Sequence, residues 1–352
     1  MPYEDGWAAM NLEMPARIPR TEYSAEMHWD LIKAVTGIDV GVKSTPVEQA
    51  CAAQAFMKAW KYDFFWNTLI SDPEFGPWRT DMGHAEYAAG GVDRRDTIFS
   101  PYKDVEEILN FDPWEKLGAK DPAWLKQRFE DNYKASCAFH PDGVNMTGIY
   151  VTLVSGMIGL FGWDWLLLAA GTDPVRFGEL CNRYATWIQQ YFDALAAADV
   201  PAVMVHDDMV WTSGPIFRPA WYRQYVFPNY KKYVRPLLDS GKKVTFTSDG
   251  NYTKFIDDIA DCGFTGFVME PMTSLETVVE KYGKTHVIFG NADTRILLSG
   301  TKEQIRAEVE RCMNLGRTCP GFFMAVGNHI PPNTPVENAL YYNEVYEELA
   351  RR

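Results

Sequence analysis

Val203-Met204-Val205-His206-Asp207-Asp208-Met209-Val210-Trp211 carries a short apolar run directly into one imidazole and two carboxylates. The run begins at Ala202, and the turn Thr212-Ser213-Gly214-Pro215 follows it. A segment of this length bounded by turn residues suits a strand buried on both faces, as in a parallel sheet covered by helices. Such sheets keep their chemistry at the carboxyl ends of the strands. His206, Asp207 and Asp208 are therefore expected at a site rim.

The same pattern recurs downstream. Val244 to Thr247 runs into Ser248-Asp249-Gly250-Asn251, and Phe264 to Met269 into Glu270-Pro271. Val287 to Phe289 runs into Gly290-Asn291-Ala292-Asp293, and Phe322 to Val326 into Gly327-Asn328-His329. Strands that each end in Asp, Glu, Asn or His predict one shared rim. Helical patterns separate them at Pro219 to Ser240, Tyr252 to Cys262, Leu275 to Tyr282, Lys302 to Gly316 and Pro335 to Arg351. Alternation without a break in composition favours one barrel-like α/β domain over two lobes.

Towards the amino terminus, residues 1 to about 25 read as irregular. Helices are expected from Ser24 to Val35, with Ser24 as cap, and from Thr45-Pro46 to about Tyr62. Residues 1–62 thus form a helical lead-in, and Asp63 to Leu69 reads as the first strand. Residues 71–121, rich in Pro, Gly and charge, read as an insertion near the barrel mouth with a short hairpin or strands around Thr80 to Thr97. Asp81 and His84 are its polar cluster able to close over a site. Pro122 to Ala138 is expected as helix, Val144 to Val151 as strand, and Asp173-Pro174 as the start of a helix reaching about Ala198.

At 352 residues and a net charge of −13, without a Lys/Arg cluster, the chain is a poor candidate for nucleic-acid binding. The apolar stretch Met157 to Ala170 contains Asp164 and reads as too short and interrupted to cross a bilayer. The acidic start lacks the marks of a signal peptide, so a cytoplasmic location is expected. Six scattered cysteines without a C-x-x-C pair read as small buried hydrophobes. Twelve tryptophans and fourteen methionines exceed what filler requires, and an apolar pocket for a flat substrate would use some of them. Trp211 is the candidate nearest the rim.

The segments His206-Asp207-Asp208-Met209 to Gly214–Pro219, Thr247-Ser248-Asp249-Gly250-Asn251, Gly290 to Gly300 and Ile330-Pro331-Pro332-Asn333-Thr334-Pro335-Val336-Glu337-Asn338 resemble the uroporphyrinogen decarboxylase superfamily. The resemblance is clear over residues 200 to 350 and weaker at Ala16-Arg17-Ile18-Pro19. It implies a (β/α)8 TIM-type barrel of residues 1–352, with the N-terminal helical extension and the long loop insertion. Its decarboxylases carry an N-terminal Arg-Gln-Ala-Gly-Arg stretch that grips substrate carboxylates, and this chain has nothing like it. Its zinc-thiol methyltransferases carry a His-x-Cys pair and a later Cys where this chain has Thr247, Asp249 and Asn328, so there is no cysteine-based zinc motif.

The resemblance therefore implies the methyltransferase branch in another form: the demethylating component of an O-demethylase, moving a methyl group from a small methoxylated aromatic to cobalamin, a corrinoid, on a partner protein. The oxygen left behind needs a proton or a Lewis acid. His206, Asp207, Asp249, Glu270 and His329 are the candidate catalytic groups, and Asp81, His84, Trp211, Asn291 and Asn328 the candidate substrate contacts. His206, Asp249, Glu270 and His329 are also candidate ligands for a divalent metal such as zinc. The alternative is a decarboxylase or lyase acting on a small carboxylic acid, with Arg218 or Arg295 facing the carboxylate.

Overall fold

Along each central strand the side chains alternate between two buried layers, and this alternation sets the architecture. The computed structural model describes residues 2–80 and 99–352. Its strands, in chain order, are β1 (Phe64–Phe65), β2 (Val144–Asn145), β3 (Thr147–Ile149), β4 (Ala202–His206), β5 (Val210–Trp211), β6 (Gly214–Pro215), β7 (Lys243–Ser248), β8 (Gly266–Met269), β9 (Val287–Phe289) and β10 (Phe322–Phe323). Six of them form one sheet in the order β10-β9-β8-β7-β4-β3, every pair parallel. β1 pairs in parallel with β2, and Ile70 bridges to Ile149.

The remaining gap is spanned by residues 18–23. Met324 N donates to Pro19 O and Thr21 N to Met324 O, while Asp63 N donates to Arg20 O. Arg20 and Tyr23 bridge in parallel to Met324 and His329. Backbone contacts thus run in a full circle through the two irregular staves, the plan of a (β/α)8 fold. A buried inner cluster holds Phe64, Val144, Met146, Ala202, Met204, Val268, Val287, Phe289 and Phe323. The outer cluster holds the intervening Phe65, Val203, Val205, Phe267, Ile288 and Phe322 against the helices. A period of two is what a sheet covered inside and out requires.

Local signals explain most helices. Thr45 and Glu48 form a capping box at Pro46–Ala59, and Asp173 accepts from Val175 N and Arg176 N at the start of Pro174–Ala197. The lead-in departs from expectation. Residues 1–25 are not simply irregular: Pro2–Met10 is helical, and its Ala9 and Met10 join the inner cluster. Ser24 does not cap a helix. It takes φ +57 with its hydroxyl turned to His329, a three-residue turn follows, and His28 caps Trp29–Thr36 by accepting from Leu31 N.

The stretch 71–121 is more helical than expected, with a 3-10 segment Asp72–Trp78 and helices Val105–Leu109 and Pro113–Leu117. Most of the expected hairpin, with Asp81 and His84, lies outside the described residues. The unassigned apolar run belongs to a helix, Val154–Thr172, long and apolar enough by length and composition to cross a membrane. Its residues Val154 to Gly162 are all buried, and Gly162 at φ +73 breaks it in two. Thr294–Ser299 is a further helix the pattern did not announce.

Candidate active site

The strand alternation carries straight into the rim. In β4, Ala202 and Met204 face the inside of the ring, so His206 does too, while Val205 and Asp207 face the helices. Thr247 is the last but one residue of β7, and Glu270 follows β8 two residues after inward-facing Val268. Together with Asp249, Asn328 and His329 these groups line a cavity of about 250 Å³ at the carboxyl ends of the strands. The rest of its wall includes Glu22, Tyr23, Ser24, Glu26, Trp66 and Tyr150.

His206 is 2% exposed and stacks on the Tyr150 ring at 3.5 Å between centroids. Its Nδ1 lies 3.0 Å from Tyr150 O and its Nε2 3.1 Å from Asp208 Oδ1. Burial alone would pull its pKa down. Asp208's charge and hydrogen bond, the nearby Asp249 and the Tyr150 carbonyl outweigh burial and raise it to about 9. With an acceptor at each nitrogen, the ring is held as an imidazolium.

Asp208 Oδ1 also accepts from Asp249 N at 2.9 Å. The Asp249 side chain is open to the cavity yet surrounded by protein. This partial desolvation, and then the charges of Asp208 and Glu270, push its pKa well above the usual carboxylate range, against the opposing pull of His206 and Asn328. Glu270 Oε2 accepts from Gly250 N at 2.6 Å. Asn328 Nδ2 lies 2.5 Å from Glu270 Oε1 and 3.5 Å from Asp249 Oδ2, so one amide straps the two carboxyls. Gly250, at φ +80, is required here, because a Cβ would come within 2.7 Å of the Trp211 backbone. His329 is exposed, with Nδ1 2.6 Å from Ser24 Oγ and its backbone N donating to Asn328 Oδ1 at 2.8 Å.

Three expected site residues stand elsewhere. Asp207 points away from the cavity: its Oδ1 accepts from Leu153 N and Ser155 N at 3.3 and 2.6 Å, its Oδ2 accepts from the Tyr230 hydroxyl, and burial raises its pKa. It anchors the start of Val154–Thr172. Asn291 is 1% exposed and fully engaged, donating to Glu270 O and Thr273 O and accepting from Arg311. Trp211 is 45% exposed and lies beside Trp163 on the β5–β6 hairpin, outside the cavity lining.

The proposed metal set is not supported by its geometry. Among the described residues no three His, Cys, Asp or Glu side chains come together as a metal-holding group, and Asn328 occupies the space between Asp249 and Glu270. The groups that the sequence did not announce are on the wall built by residues 22–26, together with Tyr150. Glu22 is fully buried and paired with fully buried Arg20 at 2.7 Å. The acidic pair Glu22 and Glu26, flanking Tyr23 beside the Ala16–Pro19 motif, was the available signal.

Comparison with known proteins agrees with this fold. The family profile described as uroporphyrinogen decarboxylase (URO-D) matches residues 144–349. A uroporphyrinogen decarboxylase of Carboxydothermus hydrogenoformans is 30% identical over 177 residues, covering 50% of this chain and 49% of that protein. One from Thermus thermophilus is 30% identical over 178 residues, covering 51% and 50%. The chain thus spans about half the length of the curated relatives it matches. Among solved structures, a methyltransferase from Methanosarcina mazei superposes with a TM-score of 0.63 at 18% identity, over 99% of this chain and 98% of that one. That likeness is one of fold.

Proposed function

Because the chain belongs to the uroporphyrinogen decarboxylase family, whose barrel carries its chemistry at this rim, we propose that the cavity demethylates a small methoxylated aromatic compound and passes the methyl group to a corrinoid protein. The observation that carries this reading is Asp249: a carboxyl open to the cavity, whose partial desolvation and crowding by Asp208 and Glu270 make it hold its proton more firmly than a free carboxyl. Leaving oxygen needs such a proton, because an aryl oxide departs poorly without one.

The reduced corrinoid of the partner supplies the electron pair that forms the new bond to the methyl carbon. The methyl–oxygen bond breaks, its electron pair stays on oxygen, and the Asp249 proton turns that oxygen into a phenol hydroxyl. His206, with both nitrogens occupied by Tyr150 O and Asp208, acts as a positioning residue: its charge holds Asp208 against the Asp249 backbone. Asn328 keeps Asp249 and Glu270 in register. Trp66, Tyr23 and Tyr150 offer flat faces to a ring.

Decarboxylation of a small acid is the weaker reading. Among the described residues that line the cavity there are four carboxylates and no Lys or Arg. Arg295 is held by Asp293 at 2.6 Å, and Arg218 is exposed outside the lining. An anionic substrate would meet repulsion where it needs a clamp. The test is to incubate the protein with methoxybenzene and related methyl ethers together with a reduced corrinoid carrier. Phenol should appear in step with methylation of the carrier. No phenol from any ether, or carbon dioxide released from small acids without the carrier, would overturn the proposal.

A further inference from the structure

A second cavity of about 230 Å³ adjoins the first and shares Glu22, Glu26 and Trp66 with it. The rest of its wall includes Thr21, Met57, Tyr62 and His140. Taken singly, each cavity falls short of the roughly 300 Å³ at which small-molecule pockets begin; the pair exceeds it.

The partition between them has two kinds of residue. Glu22 is satisfied on every side, accepting from Arg20, Tyr342 and Val326 N. Glu26 Oε2 and Trp66 Nε1 are buried without a hydrogen-bond partner. The same holds for the hydroxyls of Tyr23 and Thr247 on the first cavity and of Tyr62 on the second. Nine buried side-chain polar atoms lack a partner among the described residues, and five of them stand on these two walls. Buried polar atoms are costly unless paired. Their concentration here, with no Lys or Arg among the described residues of either wall and the His206 nitrogens already taken by Tyr150 O and Asp208, points to a ligand that brings uncharged acceptor oxygens.

We infer that the two cavities form one two-compartment binding site, in which the second compartment takes an uncharged, hydrogen-bond-accepting substituent of the substrate, read by Tyr62 and Glu26. Tyr62 is 3% exposed and lines the second cavity with its hydroxyl unpartnered. Burial raises the Glu26 pKa, against its own backbone hydrogen bond and with the Glu22 charge adding to the rise; in the proposed site its unpartnered Oε2 carries the proton and donates it to the ligand oxygen. Trp66, stacked on Tyr23 at 4.8 Å and packed against Phe64 and Phe289, fixes the passage between the compartments. A ring in the first compartment therefore carries its methoxy group towards Asp249 and a carbonyl or second ether towards Tyr62.

This inference rests on the proposed function for the ring and its methoxy group, and its test is binding, which needs no turnover. Calorimetry or tryptophan fluorescence would compare methoxybenzene with 4-methoxyacetophenone, which adds one uncharged acceptor. The wild-type protein should bind the ketone more tightly by roughly 3- to 10-fold, the range for one net hydrogen bond. Tyr62→Phe and Glu26→Leu should each remove most of that preference, and Glu26→Gln, which keeps a donor, should retain it. Equal binding of both probes by wild-type protein, no binding of either, or an unchanged preference in Tyr62→Phe and Glu26→Leu would overturn the inference. A preference lost in those variants alongside no phenol formation would leave the two-compartment site standing and overturn the demethylase reading alone.

Discussion

His206 Nε2 lies 3.1 Å from Asp208 Oδ1, and this contact fixes a charge inside the barrel mouth. The His206 pKa is raised to about 9 from 6.5. Its contribution to stability is fully present below the unfolded value and is lost as pH rises through the folded one. Unfolding free energy measured with urea should therefore decline between about pH 6.5 and pH 9, by on the order of 3 kcal/mol from this group. Asp208→Asn removes the main cause of the shift and should flatten that decline. An equal slope in wild type and variant would show that the imidazole is not charged by this partner.

Asp207 differs from its neighbour because it faces the other way. Its carboxylate accepts two backbone N–H groups at the start of Val154–Thr172 and the Tyr230 hydroxyl. Tyr230→Phe should cost about 1–3 kcal/mol, because a buried acceptor loses a donor. Turnover per folded molecule should be unchanged by it. Loss of turnover at full stability would place Asp207 back among the reacting groups.

The sequence already held the alternation that separates these two aspartates. Ala202, Met204 and His206 share one face, and Val203, Val205 and Asp207 the other, but a run apolar at every position hides which face is which. The downstream strand ends were legible because each apolar run is closely followed by an acidic, amide or imidazole residue, as at Asp249 and Glu270. The wall from Glu22 to Glu26 was not, because its stave is held by isolated bridges to Met324 and His329 and has no strand pattern of its own. Asn291 misled for a related reason. A polar residue just beyond a strand can turn back, and this one reaches Thr273 O and Arg311.

Arg20 and Glu22 are both fully buried, and the Arg20 guanidinium also lies over Trp60 and Tyr346 at 4.6 and 4.5 Å. Removing one partner strands the other charge, so Arg20→Met or Glu22→Leu should each cost about 3–5 kcal/mol. The double variant should cost clearly less than the two losses added, since it strands no charge. Urea midpoints of the four proteins decide this, and strict additivity would mean that the ions do not depend on each other.

Asp249→Asn tests the proposed acid directly. The amide keeps the size of the side chain and its contact with Asn328 but has no proton to give, so kcat for methoxybenzene should fall by roughly 10²- to 10⁴-fold with KM little changed. The methyl ether of 4-nitrophenol leaves as a stabilised oxide that needs no acid, and its rate should fall far less. Asp249 has a raised pKa because of partial desolvation and the charges of Asp208 and Glu270. The wild-type rate on methoxybenzene should therefore decline as pH rises through that pKa, when the acid form is lost, and the Asn variant should not follow this decline. A structural role alone predicts the same fractional loss for both ethers and an unchanged pH profile.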